Sequence, residues 1–117
     1  MPSPTSTPVV VTSDNLSALL GQHKPVLLDF WAPWCGPCKA LMPTITALAA
    51  RYQDRALIGT VNVDEQPDLV QQYQVKSIPA LFLIYQGAVH KTLIGQQPEH
   101  VLATHIDALL LEEATGR

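Results

Sequence analysis

Hydrophobic residues along the chain alternate between short continuous runs and a helical spacing. The continuous runs, rich in β-branched residues, predict five strands, at residues 9–12, 26–30, 56–63, 80–85 and 88–94. Apolar residues three or four positions apart predict four helices, at residues 13–20, 35–52 and 67–73 and from Pro98 onward. The resulting order, βαβαβαββα, predicts an α/β fold in which one central mixed five-stranded sheet is flanked by four helices.

The first helix is expected to be short, with Ser13 or Asp14 as its N-cap and Gly21 as its end. The second strand, Val26-Leu27-Leu28-Asp29-Phe30, is apolar on both faces except at Asp29, which is typical of a central strand covered by helices on each side. A carboxyl group in such a strand is disfavoured in its ionised form, so burial is expected to raise the pKa of Asp29. A raised pKa would suit a proton shuttle. A purely structural acid, satisfied by neighbouring donors, is the alternative to that role.

Composition limits the classes of partner. The chain has 117 residues, 47% of them hydrophobic, which suits one compact domain. Its formal charge of -3 provides no basic surface for nucleic acid or an anionic membrane. The run at residues 80–85 is too short to span a bilayer, so a soluble protein is predicted. Residues 1–8 alternate proline with serine and threonine, which predicts a flexible tail before a domain at residues 9–117. They carry no basic start or apolar core of a secretory signal, so the predicted location is the cytoplasm.

The two cysteines of the chain form one Cys-x-x-Cys, at Cys35 and Cys38. A disulfide in so small a ring contributes roughly 2 kcal/mol by loop closure, so stability is a poor reason for the spacing. The spacing instead lets a second thiol resolve a mixed disulfide formed by the first. Cys35 precedes a predicted helix whose N-terminal end favours a thiolate, so Cys35 is expected to attack and Cys38 to resolve.

Zinc sites also use the Cys-x-x-Cys spacing, but they need about four ligands. The histidines do not stand at a paired ligand spacing with the cysteines, so no metal is predicted, and the only predicted redox group is the Cys35-Cys38 disulfide itself. These histidines are His23, His90, His100 and His105.

The sequence resembles the thioredoxin family at several landmarks. The run at residues 26–39, VLLDFWAPWCGPCK, is similar to the active-site segment of that family. Val61-Asn62-Val63-Asp64, Ser77-Ile78-Pro79 and Gln86-Gly87 followed by Gly95 are similar to its later landmarks, in the same order. The resemblance covers about residues 9–111. It implies the thioredoxin fold, a monomer, reduction of disulfides in target proteins, and recharging by a thioredoxin reductase.

The resemblance also implies roles for individual residues. Cys35 is the nucleophile, Cys38 is the resolving thiol, and Asp29 accepts the proton of Cys38. Pro79 corresponds to the cis-proline of the family, which faces the cysteine pair and presents the backbone of Ile78 to a substrate. An apolar docking rim for partner proteins is expected from Trp34, Gly36, Pro37, Ile78, Pro79 and Gly95.

Four expectations concern redox tuning, turn formation and packing. Lys39 is expected to raise the local positive potential near the thiolate, with solvated surface as the alternative. For Gly95, a simple strand-ending turn is the alternative to a place in the docking rim. Trp31 is expected to belong to the core rather than to the docking rim. Gly36 and Pro37, between the cysteines, favour a reductant, because oxidants of the family tend to carry a histidine there.

The sequence departs from the family pattern at three positions. Thr60 stands where the family often has a lysine near the buried acid, which leaves the charge compensation of Asp29 open. Ala80 and Gln96 stand at two further positions near the docking rim and are expected to affect partner choice. Two other functions remain as alternatives: an oxidant or isomerase on the same fold, and a binding module that uses the apolar rim without redox turnover.

Overall fold

The computed structural model describes residues 7–116. The first six residues of the predicted tail lie outside this described part. The order of elements is the predicted one. The elements are β1 (Val9–Val10), α1 (Leu16–Leu20), β2 (Val26–Trp31), α2 (Gly36–Arg51), β3 (Leu57–Asn62), α3 (Pro67–Gln72), β4 (Ala80–Tyr85), β5 (Ala88–Ile94) and α4 (Glu99–Ala114).

The strands form one five-stranded sheet in the order β1-β3-β2-β4-β5. Strand β3 pairs in parallel with β1 and β2, whereas β4 pairs antiparallel with β2 and β5. The predicted α/β class and mixed sheet are therefore confirmed. Strand β2 lies at the centre because Val26–Trp31 can be buried on both faces; five of its six residues are buried.

The two faces of the sheet pack against different helices. Leu27 of β2 belongs to a core cluster with α2 and α4, which includes Ile45 and Ile106. Leu28 and Phe30 belong to a second cluster, together with residues of α1 and α3. This division follows the period of two along a strand, and it places Asp29 on the same face as Leu27, under α2.

The first strand and helix differ from the prediction. Strand β1 ends at Val10, and α1 begins at Leu16 with Asn15 as its N-cap, so the predicted caps Ser13 and Asp14 are wrong. The Asn15 side chain instead forms hydrogen bonds with residues that precede it in the chain. It accepts a hydrogen bond from the Thr12 amide at 2.8 Å and donates one to the Val10 carbonyl at 2.9 Å. Those local bonds end the strand early.

The hairpin and the last helix agree closely with the prediction. Gln86 and Gly87 both have positive φ, 52° and 77°, and join β4 to β5 at the predicted residues. Pro98 is the N-cap of α4. Far from the cysteines, the hydroxyl of the buried Tyr52 donates a 2.6 Å hydrogen bond to the Asp107 carboxylate, which ties the end of α2 to α4.

Candidate active site

The cysteine pair lies where the chain leaves β2 and enters α2. Cys35 is the N-cap of α2 and has extended backbone angles, so the helix proper begins at Gly36, with Pro37 in its first turn. Cys35 and Cys38 form a disulfide with a Cα–Cα distance of 5.3 Å. Cys35 retains 7% of its accessible surface whereas Cys38 retains none. Of the two cysteines, only Cys35 has any accessible surface.

Backbone groups at the start of α2 surround the Cys35 sulfur. The Cys38 amide donates a hydrogen bond to Cys35 Sγ at 3.2 Å. The helix that follows has 16 residues, and the positive end of its dipole is directed toward the sulfur. In the reduced protein both effects favour a thiolate at this position.

A second segment, Ser77-Ile78-Pro79, approaches the disulfide from the side of β4. The Ile78–Pro79 peptide bond is cis, as the resemblance implies. The Ile78 carbonyl oxygen lies 4.0 Å from Cys35 Sγ, and the half-buried Ile78 side chain packs against the cluster of Ala32, Cys35 and Cys38. The structure thus brings a backbone edge next to the reactive sulfur.

Gly95 lies beside this segment. Its amide donates a 2.8 Å hydrogen bond to the Pro79 carbonyl, and its φ of 90° belongs to the left-handed region that favours glycine. Gly95 follows the last residue of β5 and also fixes the backbone at Pro79. A strand-ending turn and a place in the docking rim therefore do not exclude each other.

Trp34 is the most exposed aromatic residue of the site, with 69% of its surface accessible. Its indole N–H donates a 2.9 Å hydrogen bond to Asp64 Oδ2, and the Asp64 amide in turn donates one to Asn62 Oδ1 at 2.9 Å. A shallow cavity of about 170 Å³ lies against the Trp34 ring, and its apolar lining includes Val63, Val70, Val75 and Ile78. A larger cavity, of about 390 Å³, lies at residues such as Thr7, Lys24 and Ala56, away from the cysteines.

Asp29 is fully buried and its two carboxylate oxygens have no hydrogen-bond partner among the described residues. Burial raises the pKa of Asp29 from 3.8 to about 7. Its partners in the sheet register are Thr60 on β3 and Leu81 on β4. The expectation of a raised pKa is met, whereas the alternative of a carboxyl group satisfied by neighbouring donors is not what the structure describes.

The remaining predicted residues differ in how closely they join the site. Gly36 and Pro37 are exposed at the first turn of α2, next to Cys35. A Cβ atom at Gly36 would meet nothing within 4 Å, so steric crowding does not require glycine there. Lys39 is exposed, one residue beyond Cys38. Trp31, at the end of β2, is half-buried against the cysteine cluster.

Asp64 belongs to the segment at residues 61–64 that resembles the family, but the sequence analysis assigned it no role. A signal was available, because Asp64 stands just beyond the end of β3. The carboxyl ends of the parallel strands β2 and β3 meet at one edge of the sheet, which is where Trp34 follows β2. Val70 and Val75 were also missed, since they come from α3 and the loop after it and reach the site only through the fold.

Two features are absent from residues 7–116. No group of three or more histidine, cysteine, aspartate or glutamate side chains in this part is placed to hold a metal ion. No helix in it is long and apolar enough to cross a membrane.

Residues 7–108 match the sequence profile of the thioredoxin family. A thioredoxin of Chlorobaculum thiosulfatiphilum is 44% identical over 89 residues, which are 76% of this chain and 82% of that protein. The chloroplastic thioredoxin M-type of Brassica napus is 40% identical over 106 residues, which are 91% of this chain and 60% of that protein. The solved structure of a mutant thioredoxin from Halobacterium salinarum NRC-1 superposes with a TM-score of 0.83 at 31% identity, covering 94% of this chain and 96% of that one. The chain therefore belongs to the thioredoxin family and is a thiol-disulfide reductase with Cys35 and Cys38 as its redox pair.

Proposed function

We propose that Cys35 is the nucleophile and Cys38 the resolving thiol in the reduction of disulfides in other proteins. The observation that supports this order most directly is the difference in accessibility. Cys35 retains 7% of its accessible surface at the N-terminal end of α2, whereas Cys38, one turn later, retains none. The Cys38 amide, 3.2 Å from Cys35 Sγ, supports the assignment because it stabilises negative charge on Cys35.

The reaction takes two steps of thiol-disulfide exchange. In the first, the Cys35 thiolate attacks one sulfur of the target disulfide, a Cys35-target bond forms, and the other target sulfur leaves as a thiolate. In the second, the Cys38 thiol loses its proton and attacks Cys35 Sγ, which forms the Cys35-Cys38 disulfide and releases the second target thiolate. Two electrons pass from the dithiol to the target.

Asp29 is the proposed base for the second step. Asp29 shares a face of the sheet with Leu27, which packs against α2, the helix that carries Cys38, and this shared face supports the proposed role. A base with a pKa near the operating pH accepts and returns a proton with little energetic cost. Burial brings the pKa of Asp29 to about 7, which suits that task.

The docking rim of Trp34, Gly36, Pro37, Ile78, Pro79 and Gly95 is the proposed binding surface for target proteins. An extended target segment would lie along the Ile78 backbone, whose carbonyl oxygen is 4.0 Å from Cys35 Sγ. An apolar side chain of the target would rest against the Trp34 ring and the adjoining cavity of about 170 Å³.

Gly36, Pro37 and Lys39 are the proposed tuning residues. A glycine and a proline between the cysteines add no charged or hydrogen-bonding side chain to stabilise the thiolate further, which supports a reducing rather than an oxidising potential. The exposed Lys39 adds positive charge one residue beyond Cys38. Its exposure to solvent limits this contribution.

Partners, oligomeric state and cellular location complete the proposal. The proposed partners are a thioredoxin reductase, which returns two electrons to the disulfide, and disulfide-containing target proteins. The formal charge of -3 gives no reason to expect nucleic acid or membrane as a partner. We propose a monomer that acts in the cytoplasm and needs no cofactor beyond its own disulfide. A chloroplast is the alternative location, since several relatives are chloroplastic, and cell fractionation separates the two.

Trapping the mixed disulfide tests the assignment of the two cysteines. With a disulfide-bonded protein such as insulin, Cys38→Ser is expected to accumulate a covalent adduct, because the resolving step is lost. Cys35→Ser is expected to form none. The reverse pattern would overturn the assignment. A chain truncated to residues 9–117, the proposed domain, is expected to keep the activity of the full chain.

A further inference from the structure

Two shallow, mostly apolar cavities share the loop at residues 75–77, between α3 and β4. The first, of about 170 Å³, is the cavity against the Trp34 ring. The second, of about 320 Å³, lies toward β5, and its lining includes Phe82, Thr92 and Ile94. The whole loop at residues 75–77 contributes to both linings, so the two cavities adjoin.

The second cavity is continuous with the docking rim. Trp34 and Ile78 of the rim line the first cavity. Ile94, in the lining of the second cavity, is 54% exposed and stands directly before Gly95, another residue of the rim. The surface that is open to a target protein therefore continues from Ile78 along the loop and toward β5.

Lys76 lies where the two cavities meet. Among the described residues that line them, Lys76 is the only charged one, and it is exposed to solvent. The ion pair within residues 7–116 joins Arg51 to Glu99, so no acidic side chain of this part neutralises Lys76. The lysine thus adds an unpaired positive charge to an apolar surface, which complements an acidic side chain of a bound partner.

The backbone on both sides of Lys76 is held in place. The Val75 amide donates a 2.9 Å hydrogen bond to the Val70 carbonyl, and the Pro79 carbonyl accepts one of 2.8 Å from Gly95. Lys76 stands two residues before Ile78, whose carbonyl oxygen is 4.0 Å from Cys35 Sγ. Two residues of extended chain span at most about 7 Å. The ammonium group can therefore meet a side chain that stands about two residues from the cysteine under attack.

We propose that Lys76 is a specificity-determining residue, which favours target segments with an aspartate or glutamate about two residues from the cysteine that Cys35 attacks. This inference rests on the proposed function of the docking rim. The occupant is an extended segment of a target protein, with apolar side chains against the two cavities and the acid at Lys76. The ion pair strengthens encounter and binding, and it leaves the exchange of disulfides itself unchanged.

Symmetric peptide disulfides, in which both cysteines are equivalent, test the proposal. Three peptides of the same apolar sequence carry glutamate, glutamine or lysine two residues before and two residues after the cysteine. Stopped-flow fluorescence follows the oxidation of the reduced protein by each peptide at low ionic strength. We expect the wild type to react with the glutamate peptide about two- to fivefold faster than with the glutamine peptide, as an exposed ion pair allows. The difference is expected to shrink at an ionic strength of about 0.5 M.

Charge substitutions at Lys76 separate an ion pair from a loss of structure. Lys76→Gln is expected to react equally with the glutamate and glutamine peptides. Lys76→Glu is expected to prefer the lysine peptide, a reversal that a poorly folded loop would not produce. The matched control is Lys91→Gln on β5, because Lys91 is also exposed but lines neither cavity, and it is expected to keep the wild-type preference.

A wild type without preference for the glutamate peptide, or a Lys76→Gln variant that keeps the preference, would overturn the proposal. Trapping of the same peptides by Cys38→Ser tests the proposed function separately. If adducts form but the wild type shows no charge preference, the assignment of the cysteines stands and the role of Lys76 fails. If Cys38→Ser forms no adduct with any of the peptides, the proposed function fails and the role of Lys76 fails with it.

Discussion

The Trp34 indole N–H donates a 2.9 Å hydrogen bond to Asp64 Oδ2, across the gap between the ends of β2 and β3. Trp34 is 69% exposed, so its ring has little packing to hold it in one orientation. The backbone of Asp64 is anchored in turn, because its amide donates a 2.9 Å hydrogen bond to Asn62 Oδ1. This hydrogen bond between Trp34 and Asp64 orients the Trp34 ring at the proposed docking rim.

Asp64→Ala is expected to weaken the reduction of protein disulfides more than that of a small aromatic disulfide. Without the carboxylate the ring is free to rotate, and part of the binding energy is lost in ordering it again. We expect kcat/KM with a protein target to fall about two- to fivefold, as the loss of one exposed hydrogen bond allows.

Asp64→Asn keeps an acceptor for the indole N–H, so its kcat/KM with a protein target is expected to fall less than that of Asp64→Ala. Glu65→Ala removes the same charge from the neighbouring exposed residue and serves as the control. Equal losses in Asp64→Ala and Glu65→Ala would show that charge, rather than the orientation of the ring, is responsible.

The stability of the protein is expected to fall as the pH rises from about 4 to about 7. The pKa of Asp29 is about 7 in the folded protein and 3.8 by its ordinary value, so the unfolded chain releases this proton first. Stability contributed by the protonated acid is therefore complete below about pH 4 and is lost as the pH reaches about 7. The interval between the two pKa values corresponds to as much as about 4 kcal/mol.

Urea unfolding of the oxidised protein and of Asp29→Asn measures this effect. The asparagine variant does not titrate at this position, so its advantage over the wild type is expected to grow between about pH 4 and about pH 8 and then to level off. A difference in free energy of unfolding that stays constant with pH would contradict the buried, titrating carboxyl group.

Turnover of Asp29→Asn is expected to be slowest relative to the wild type above pH 7. In that range the wild-type carboxylate is ionised and can accept the proton of Cys38, which an amide cannot do. A loss of about tenfold or more is expected there, and a smaller loss at about pH 6, where the wild-type acid is itself largely protonated. Stopped-flow measurement of the resolving step checks this, and parallel pH profiles would exclude Asp29 as the base.

Gly95→Ala is expected to lower the free energy of unfolding by about 1–2 kcal/mol, because the φ of 90° is costly for a residue with a Cβ atom. No atom lies within 4 Å of the added Cβ, so the cost comes from the backbone rather than from a clash. Gly36→Ala has the same open surroundings without positive φ and is the control for stability, with a change expected within about 0.5 kcal/mol. Equal stability of the two variants in urea would contradict this account of Gly95.

Most of the fold could be predicted because its elements follow the hydrophobic pattern closely. The bounds of β4 and β5 were predicted without error, since residues 80–85 are continuously apolar and Gln86-Gly87 marks the turn. The start of α1 was predicted wrongly. Ser13 and Asp14 are both good caps, but the helix begins only after Asn15, whose side chain bonds to Thr12 and Val10 and makes no capping bond.

The site was predictable where its chemistry is local in sequence. Cys35, Gly36, Pro37 and Cys38 are contiguous, and the burial of Asp29 follows from its apolar neighbours on β2. The partner of Trp34 was not predictable in the same way, because 30 residues separate it from Asp64. The resemblance implied that Thr60 lies near Asp29, whereas the hydrophobic pattern alone does not fix the strand register that makes the two residues partners.

The central claim, that Cys35 and Cys38 form a reducing redox pair, is tested most directly by a redox titration. The protein is equilibrated with mixtures of reduced and oxidised dithiothreitol or glutathione, and the state of the pair is followed by the fluorescence of Trp31 and Trp34. A reducing pair is expected to show a single two-electron transition at about -270 mV, the value characteristic of thioredoxin. A midpoint near about -180 mV or higher would contradict it and indicate an isomerase or an oxidant.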